Sequence, residues 1–215
     1  MSSHEGQPLL RDGPELALAD AVMIMLHGRE GAAGDMKTIA SQFRQTNLAF
    51  LFPQADGGSW YPYSFLVPQQ QNRAGVESAM TVLSSLVLEA ELERIPPERV
   101  LLFGFDQGAC LALEFAVRHP KRYGGVIALS GGLFGPPGTT WEGEALLAGT
   151  PVFIGCSDVD PQIPRSRVEE SADALRRLGA EVTMHLYSGM GHTISGEEIE
   201  AGNALIARAL AREGS

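Results

Sequence analysis

The chain has 215 residues, 44% of them hydrophobic and 20% charged, and its formal net charge is -10. A chain of this length and composition can bury one sizeable core, so we expect a single domain over residues 1–215. The negative charge argues against nucleic acid and anionic membranes as partners, because both attract basic surfaces. No apolar run of about 20 residues could span a bilayer, and the first residues lack the pattern of a secretory signal. We therefore expect a cytoplasmic protein.

The cysteines and histidines show no metal-binding pattern. Cys110 and Cys156 form no CxxC pair, and the five histidines have no HxxxH or HExxH spacing. A structural zinc site and a disulfide framework are therefore not expected. Both cysteines are expected to be buried as small apolar groups, and no metal or organic cofactor is implied.

Short apolar runs alternate with amphipathic segments along the chain, which is typical of βαβ units and a mostly parallel sheet. The predicted strands span 21–28, 48–53, 99–105, 124–131, 151–158 and 181–189, and the predicted helices span 35–45, 75–94, 107–119, 166–179 and 197–212. The strand at 99–105 is apolar enough to be central and covered on both faces. A long irregular stretch at 54–75 is rich in glycine, proline and aromatic residues, and a loop of that length usually has a function.

The sequence GFDQG, from Gly104 to Gly108, joins the central strand to the next helix. Glycine is needed at both ends of such a G-x-D-x-G turn, because side chains there would collide. The central side chain of Asp106 is left projecting above the sheet beside the positive end of the helix. Turns of this kind usually carry serine at the centre. The simpler interpretation is that Asp106 is a helix N-cap.

Two other predicted strand ends carry the partners that a catalytic turn requires. Asp160 follows the strand at 151–158, and His192 follows the strand at 181–189. The chain order of nucleophile, acid and histidine matches the α/β-hydrolase arrangement. Asp158 is a rival for the acid position, but the DPxxP sequence around Asp160 favours the latter.

The motifs LHGREG, WYPYSF, PPERV, GFDQGA, DVDPQIP and GMGHTIS occur in this order. Together they resemble the phospholipase/carboxylesterase branch of the α/β-hydrolases, which includes acyl-protein thioesterases and is similar to dienelactone hydrolases. The resemblance covers about residues 21–212. It implies an α/β-hydrolase fold with a mostly parallel central sheet, helices on both faces and no cap domain. Similar proteins are frequently homodimers.

The resemblance also implies roles for individual residues. His192 would be the general base and Asp160 the acid that orients it. The backbone N–H groups of Arg29 and Gln107 would form the oxyanion hole. The substrate entrance would be lined by aromatic side chains from the long loop, namely Trp60, Tyr61, Tyr63 and Phe65. Two positions depart from the family pattern, since serine generally stands at the place of Asp106 and glycine is common at the place of Glu30.

An aspartate at the elbow changes the expected chemistry. A carboxyl with a reference pKa of about 3.9 is ionised at neutral pH without a base, which leaves the histidine free to activate water. Simple alkyl esters are expected to be poor substrates, because the tetrahedral adduct would expel the carboxylate rather than an alkoxide. The pKa of the alcohol is roughly 12 units above that of the carboxylic acid, which corresponds to a difference of about 16 kcal/mol as an upper bound.

We therefore expect a small-molecule hydrolase in which Asp106 replaces serine, and several alternatives stay open. Asp106 could attack a saturated carbon, as in epoxide hydrolases and dehalogenases, or substrates with stabilised leaving groups. It could instead act as a base on water. The chain could also be an esterase disarmed by a natural or engineered replacement of serine, or a non-catalytic ligand-binding protein.

Overall fold

The computed structural model describes residues 3–142 and 147–211. Its strands are β1 (Leu9–Asp12), β2 (Ala21–Leu26), β3 (Leu48–Pro53), β4 (Val100–Phe105), β5 (Gly125–Leu129), β6 (Pro151–Ser157) and β7 (Glu181–Tyr187). They form one seven-stranded sheet in the order β1-β3-β2-β4-β5-β6-β7. β1 pairs antiparallel with β3, and every other neighbouring pair is parallel. The predicted mostly parallel sheet is confirmed.

The sequence patterns missed β1, at the edge of the sheet. This strand is only four residues long, and three of its side chains are exposed. An edge strand needs a partner on one side only, so it does not require the continuous apolar run that marks the buried strands. Its antiparallel pairing with β3 is a contact that only the folded chain reveals.

The helices are α1 (Ala33–Ala40), α2 (Arg73–Leu92), α3 (Gln107–Arg118), α4 (Arg165–Arg177) and α5 (Gly196–Leu210). α2, α3 and α4 contribute to the core on one face of the sheet, and α1 and α5 contribute to the core on the other. The expected helices on both faces are therefore confirmed. Within the described ranges, no helix is long and apolar enough to cross a membrane. The predicted end of the last helix, at 212, lies outside the described residues.

The first helix is shorter than its apolar spacing predicted. It ends at Ala40, whereas the pattern continued to 45. The chain turns so that the ring of Phe43 packs edge-on against Phe103, with ring centroids 5.8 Å apart. The N–H of Arg44 then donates to Asn203 Oδ1 at 3.0 Å. The ring of Phe43 and the N–H of Arg44 therefore find partners in other elements, and α1 does not continue into another turn.

The central position of β4 determines where the site can form. β4 lies between β2 and β5, and its side chains are buried except for the half-buried Phe105. This confirms the prediction that the strand is central and covered on both faces. Because β4, β6 and β7 run parallel, the turns after them lie together at the carboxyl ends of the strands. Ligands bind at this end of the sheet in open α/β folds. Asp106, Asp160 and His192 follow these three strand ends.

Removing the ring of Phe103 tests how much this central strand contributes to the free energy of unfolding. The side chain is fully buried, so we expect Phe103→Ala to lower the free energy of unfolding by about 3–5 kcal/mol through lost burial and a residual cavity. Urea denaturation followed by circular dichroism would measure the change. Leu92→Ala is the control, because this side chain is 74% exposed on α2 and its loss should change stability by about 0.5 kcal/mol or less. Similar losses in both variants would contradict the assignment of the core.

Candidate active site

The turn between β4 and α3 holds Asp106 in a strained conformation. Its backbone angles are φ 52° and ψ -116°. Residues with a Cβ rarely occupy this region of backbone conformation. The flanking glycines permit this turn. A Cβ on Gly104 would collide with the carbonyl of Gly108, and a Cβ on Gly108 would collide with the carbonyl of Leu26. The predicted need for both glycines is therefore confirmed.

The carboxylate of Asp106 does not cap the helix that follows it. Asp106 stands at the N-cap position of α3, but its side chain makes no hydrogen bond to the first turn, so the interpretation that it serves as a capping side chain is wrong. Instead, Asp106 Oδ2 accepts the backbone N–H of Arg29 at 2.8 Å. This N–H is one of the two donors predicted for the oxyanion hole. A carboxylate oxygen of the protein itself therefore occupies a donor that the sequence predicted for a substrate oxyanion.

The structure brings the three predicted side chains together. His192 Nδ1 lies 2.8 Å from Asp160 Oδ2, and His192 Nε2 lies 3.8 Å from Asp106 Oδ1. A carboxylate can only accept, so Nδ1 carries a proton in its contact with Asp160, and Nε2 is the ring nitrogen that faces Asp106. The rival Asp158 instead accepts the N–H of Gly189. The geometry therefore favours Asp160 as the partner of the histidine.

Asp160 is held in its charged form by several donors. Its side chain is fully buried, and burial by itself raises the pKa of the carboxyl. Hydrogen bonds from the backbone of Gln162, the ring of His192 and the backbone of Ile163 outweigh burial, so the pKa of Asp160 is lower than usual. Cys156 Sγ lies 3.8 Å from Asp160 Oδ2, and burial raises the pKa of this thiol to about 12. The expectation that both cysteines are buried is confirmed.

The side chain of Arg29 anchors the long loop over the site, a role that the sequence did not reveal. Its guanidinium donates to Ser59 Oγ at 3.3 Å and to the carbonyls of Tyr61 and Tyr63 at 3.1 and 3.3 Å. The neighbouring Glu30 is exposed, so its charge is solvated. The only sequence signal near this anchor was the departure from glycine at Glu30, and it did not point to the side chain of Arg29.

Gln107 ties the same loop to the start of α3. Its side-chain Oε1 accepts the backbone N–H of Trp60 at 2.9 Å, and its Nε2 donates to the carbonyl of Tyr61 at 2.8 Å. The side chain is buried, so these bonds satisfy both ends of its amide. Gln107 was predicted to contribute only its backbone N–H. In the structure, its amide also fixes the loop beside Asp106.

Three of the four aromatic residues predicted at the substrate entrance line a cavity of about 390 Å³. We call this space the loop cavity, and its wall includes Tyr61, Tyr63, Phe65, Asp106 and Gln107. Such a volume is typical of small-molecule sites.

The placement of Trp60 at this entrance was wrong. Its side chain is fully buried, and its indole N–H donates to the carbonyl of His27 at 2.9 Å. The rings of His27 and His4 pack beside the indole, with centroids 5.0 and 5.1 Å away. A buried indole N–H needs an acceptor, and here the end of β2 supplies it inside the core.

A second cavity of about 430 Å³ lies between α1 and α5. We call it the histidine-side cavity, because His192 and Phe105 are in its wall and their ring centroids are 4.9 Å apart. Arg29 lines both this cavity and the loop cavity. His192 is therefore in the wall of the histidine-side cavity, whereas Asp106 is in the wall of the loop cavity. Within residues 3–142 and 147–211, no cluster of three His, Cys, Asp or Glu residues could hold a metal ion.

Comparisons with known proteins agree with this architecture. The family described as Phospholipase/Carboxylesterase matches residues 17–209. Acyl-protein thioesterase 1 homolog 1 of Dictyostelium discoideum is 28% identical over 213 residues, which is 91% of this chain and 93% of that protein. Acyl-protein thioesterase 1 of Kluyveromyces lactis is 31% identical, covering 85% of this chain and 89% of that protein.

Solved structures show the same likeness. The crystal structure of a phospholipase/carboxylesterase from Dyadobacter fermentans is 40% identical, with a TM-score of 0.90, and the match covers 96% of this chain and 99% of that one. The Bacillus cereus carboxylesterase, at 20% identity and a TM-score of 0.77, shares the fold. The resemblance predicted from the motifs is therefore confirmed at the level of the family. The chain belongs to the phospholipase/carboxylesterase family and is a hydrolase with the α/β-hydrolase fold.

Proposed function

We propose that this protein hydrolyses small molecules through a covalent ester on Asp106, and that its electrophile is a saturated carbon, as in an epoxide or a haloalkane. The observation that carries the proposal is the unequal environment of the two carboxylate oxygens. Oδ2 is held by the N–H of Arg29 at 2.8 Å, whereas Oδ1 faces His192 Nε2 at 3.8 Å. One oxygen is free to attack, while the other is held by a donor that can stabilise negative charge.

The first step needs no general base. An electron pair of Asp106 Oδ1 forms a bond to the substrate carbon, and the bond from that carbon to the leaving group breaks. A halide leaves with the bonding electrons, or the epoxide oxygen becomes an alkoxide that takes a proton from solvent. The Asp106 carboxyl releases a proton to solvent when it ionises after the second step, so an epoxide plus water gives a diol. Attack at saturated carbon avoids the difficulty with alkyl esters, because the carboxylate is not the better leaving group of a tetrahedral adduct.

The second step uses the histidine. His192 Nε2 takes a proton from water as the water attacks Cγ of the Asp106 ester, and Asp160 stabilises the imidazolium. Oδ2 then carries the oxyanion, held by the N–H of Arg29 and, as we propose, by that of Gln107. When the bond from Cγ to Oδ1 breaks, His192 returns its proton to Oδ1 and the product leaves as an alcohol. The sum is substrate halide plus water giving alcohol, halide and a proton, with the water oxygen retained in Asp106.

The leaving group needs a donor, and the loop cavity offers phenols. Burial raises the pKa of Tyr61 well above its ordinary value, so this hydroxyl keeps its proton. Tyr63 is 55% exposed in the same wall. The indole N–H of Trp60 already serves His27, which removes it from the set of donors. The hydroxyl of Tyr61 is engaged with the buried thiol of Cys110, so we propose that Tyr63 supplies the hydrogen bond to a departing halide or epoxide oxygen.

A disarmed esterase is the second candidate, and two observations favour it. Relatives similar over most of the chain are named acyl-protein thioesterases and carboxylesterases. In this chain, however, the N–H of Arg29 that could hold an ester carbonyl oxygen is occupied by Asp106 Oδ2. The same pocket with serine at residue 106 would leave that donor open. The two candidates predict different activities for the unaltered chain.

Trapping the covalent ester tests the first candidate. We expect His192→Gln to accumulate an adduct of one substrate equivalent on Asp106 when it is incubated with a terminal epoxide or a bromoalkane, because the second step lacks its base. Peptide mass spectrometry would locate the adduct. In a single turnover in heavy-oxygen water, the unaltered chain should gain label in Asp106. Turnover with the label only in the product alcohol would mean that Asp106 acts as a base on water instead.

Replacing the aspartate tests the second candidate. We expect Asp106→Ser to hydrolyse p-nitrophenyl acetate about 100-fold or more faster than the unaltered chain, since general base catalysis by a positioned histidine contributes at least that factor. Asp106→Ala is the control for pocket opening alone, and Asp106→Ser combined with His192→Gln should lose the gain. If only the serine variant is active and the unaltered chain consumes neither epoxide nor bromoalkane, the chain is a disarmed esterase. If no variant is active, both candidates fail.

The orienting role of Asp160 has a pH signature. Its folded pKa is below the ordinary value of 3.8, so the stability it contributes is present above that pH and is lost as the pH falls through the folded pKa. We expect the free energy of unfolding of the unaltered chain to exceed that of Asp160→Asn at about pH 6, with the gap narrowing towards about pH 3. Urea denaturation at both values would measure it. A gap independent of pH would contradict the charged, hydrogen-bonded state of this carboxyl.

A further inference from the structure

We propose that His4 is a positioning residue: its imidazole holds the long loop at two points and thereby sets the two proposed oxyanion donors, the backbone N–H groups of Arg29 and Gln107. The inference rests on the function proposed above, because those donors belong to its second step. His4 lies before β1, and the residue is only 2% exposed. A buried polar ring needs hydrogen-bond partners, and the partners of this ring lie in the long loop.

Both nitrogens of the His4 ring are bonded to the backbone of that loop. Nδ1 accepts the N–H of Asp56 at 3.0 Å, and Nε2 lies 2.9 Å from the carbonyl oxygen of Trp60. Because Nδ1 accepts and a carbonyl cannot donate, Nε2 carries the ring proton and the imidazole is neutral. The backbone N–H of His4 donates to Ser78 Oγ at 2.8 Å. The ring therefore joins two points of the loop to a segment that is tied to α2.

The first route leads from Nδ1 to the donor at Arg29. Asp56 begins a short helical turn that ends at Gly58, and the Gly58 carbonyl accepts the N–H of Glu30 at 2.8 Å. Glu30 directly follows Arg29, whose own N–H donates to Asp106 Oδ2 at 2.8 Å. The imidazole is therefore connected to the peptide beside this donor through one short turn and the hydrogen bonds at its two ends.

The second route leads from Nε2 to Gln107. The backbone of Trp60 is held on both sides, its carbonyl by His4 and its N–H by Gln107 Oε1 at 2.9 Å. The carbonyl is also packed against the start of α2, because a Cβ on Gly75 would lie 2.4 Å from its oxygen. A ring without a donor in the place of His4 would leave this buried carbonyl unpaired. We expect the peptide to rotate towards another donor and to displace Gln107 with it.

These two bonds distinguish His4 from a ring that only fills the core. Packing accounts for the contact with the indole of Trp60, since the two rings meet edge-on with centroids 5.1 Å apart, and any aromatic ring could make that contact. The bonds to the loop instead require one acceptor and one donor on the same ring. Among aromatic side chains, only a neutral imidazole offers both on ring nitrogens.

Backbone amide NMR tests the proposal without requiring turnover. His4→Phe keeps an aromatic ring and removes both hydrogen bonds. The N–H of Arg29 is bonded to a carboxylate, and we expect His4→Phe to move its proton resonance upfield as that bond lengthens. The amide of Gln107 should shift as well. Glu5→Ala is the control, because Glu5 is the exposed neighbour in the chain, and it should leave both amides in place. Unchanged amides in folded His4→Phe would overturn the proposal.

Two conservative variants separate the routes. His4→Asn offers an acceptor near the place of Nδ1, and His4→Gln offers a donor near the place of Nε2. Compared with His4→Phe, we expect His4→Asn to restore the amide resonance of Arg29 and His4→Gln to restore that of Gln107, because each variant retains one route. The reverse pattern, or no recovery in either variant, would overturn the two routes.

The rates of the two chemical steps show whether the positions matter for catalysis. Rapid quenching and mass spectrometry would follow the Asp106 ester formed from a bromoalkane. We expect His4→Phe to slow hydrolysis of this ester about tenfold or more, since only that step uses the oxyanion donors, and to change its formation by about threefold or less.

Ile206→Ala is the control for lost stability, because this side chain is fully buried in the core on the other face of the sheet. It should keep the rate of ester hydrolysis within about threefold of the unaltered chain. An equal loss in Ile206→Ala and His4→Phe would mean that His4 has only a structural role, and the proposal would fall.

A serine background separates this proposal from the one on which it rests. If the unaltered chain consumes neither epoxide nor bromoalkane, the covalent role of Asp106 falls, and the variants are compared in Asp106→Ser with p-nitrophenyl acetate. There we expect His4→Phe to lower kcat/KM about tenfold or more, and an unchanged value would overturn the role of His4. If neither chain is active, the proposed function falls, and the amide shifts of Arg29 and Gln107 decide the role of His4.

Discussion

The site depends on the close approach of β4 and α3 at the turn that carries Asp106. Gly104 lets β4 approach the start of α3, and Gly108 lets α3 approach the carbonyl of Leu26 in β2, because neither residue has a side chain. That approach forces the intervening residue to φ 52, and the strain directs its carboxylate away from the helix and towards the N–H of Arg29. A larger residue at Gly104 would push α3 away from β4, and one at Gly108 would push α3 away from β2. In either case we expect the carboxylate to lose both its donor and its position facing His192.

Asp160 and His192 follow the parallel strands β6 and β7, and hydrogen bonds fix the positions of their side chains. Asp160 is held by two backbone N–H groups as well as by His192, so the acid orients the imidazole from a fixed loop. On the opposite side of the turn, the side chains of Arg29 and Gln107 bind the carbonyl of Tyr61. The residues proposed as oxyanion-hole donors therefore also fix the loop that lines one cavity. These two side chains therefore link the proposed chemistry to the shape of the loop cavity.

A carboxylate in place of a hydroxyl has two opposite consequences in this geometry. The second oxygen occupies the N–H of Arg29, which works against binding an ester carbonyl there, and it leaves the first oxygen free beside His192. The proposed alkyl chemistry uses this inequality, because the held oxygen becomes the oxyanion only when water attacks the covalent ester. The loop cavity, which has Asp106 and Tyr63 in its wall, is the space in which the proposed donor would meet the leaving group.

Local patterns in the sequence predicted the alternation of strands and helices, the central place of β4 and the need for two glycines in the turn. Periodicity and tight turns depend on residues close together in the chain, so these features can be read before folding. The motifs also indicated the family. They also indicated Asp160 and His192, which follow parallel strands whose carboxyl ends lie on the same side of the sheet. Only the tertiary structure decided that β1 pairs at the edge, that α1 stops at Ala40, that Trp60 turns inward to His27, and that Asp106 binds Arg29 rather than capping α3. Each of these depends on which donor or apolar surface a distant segment brings within reach, and that information does not exist until the chain has folded.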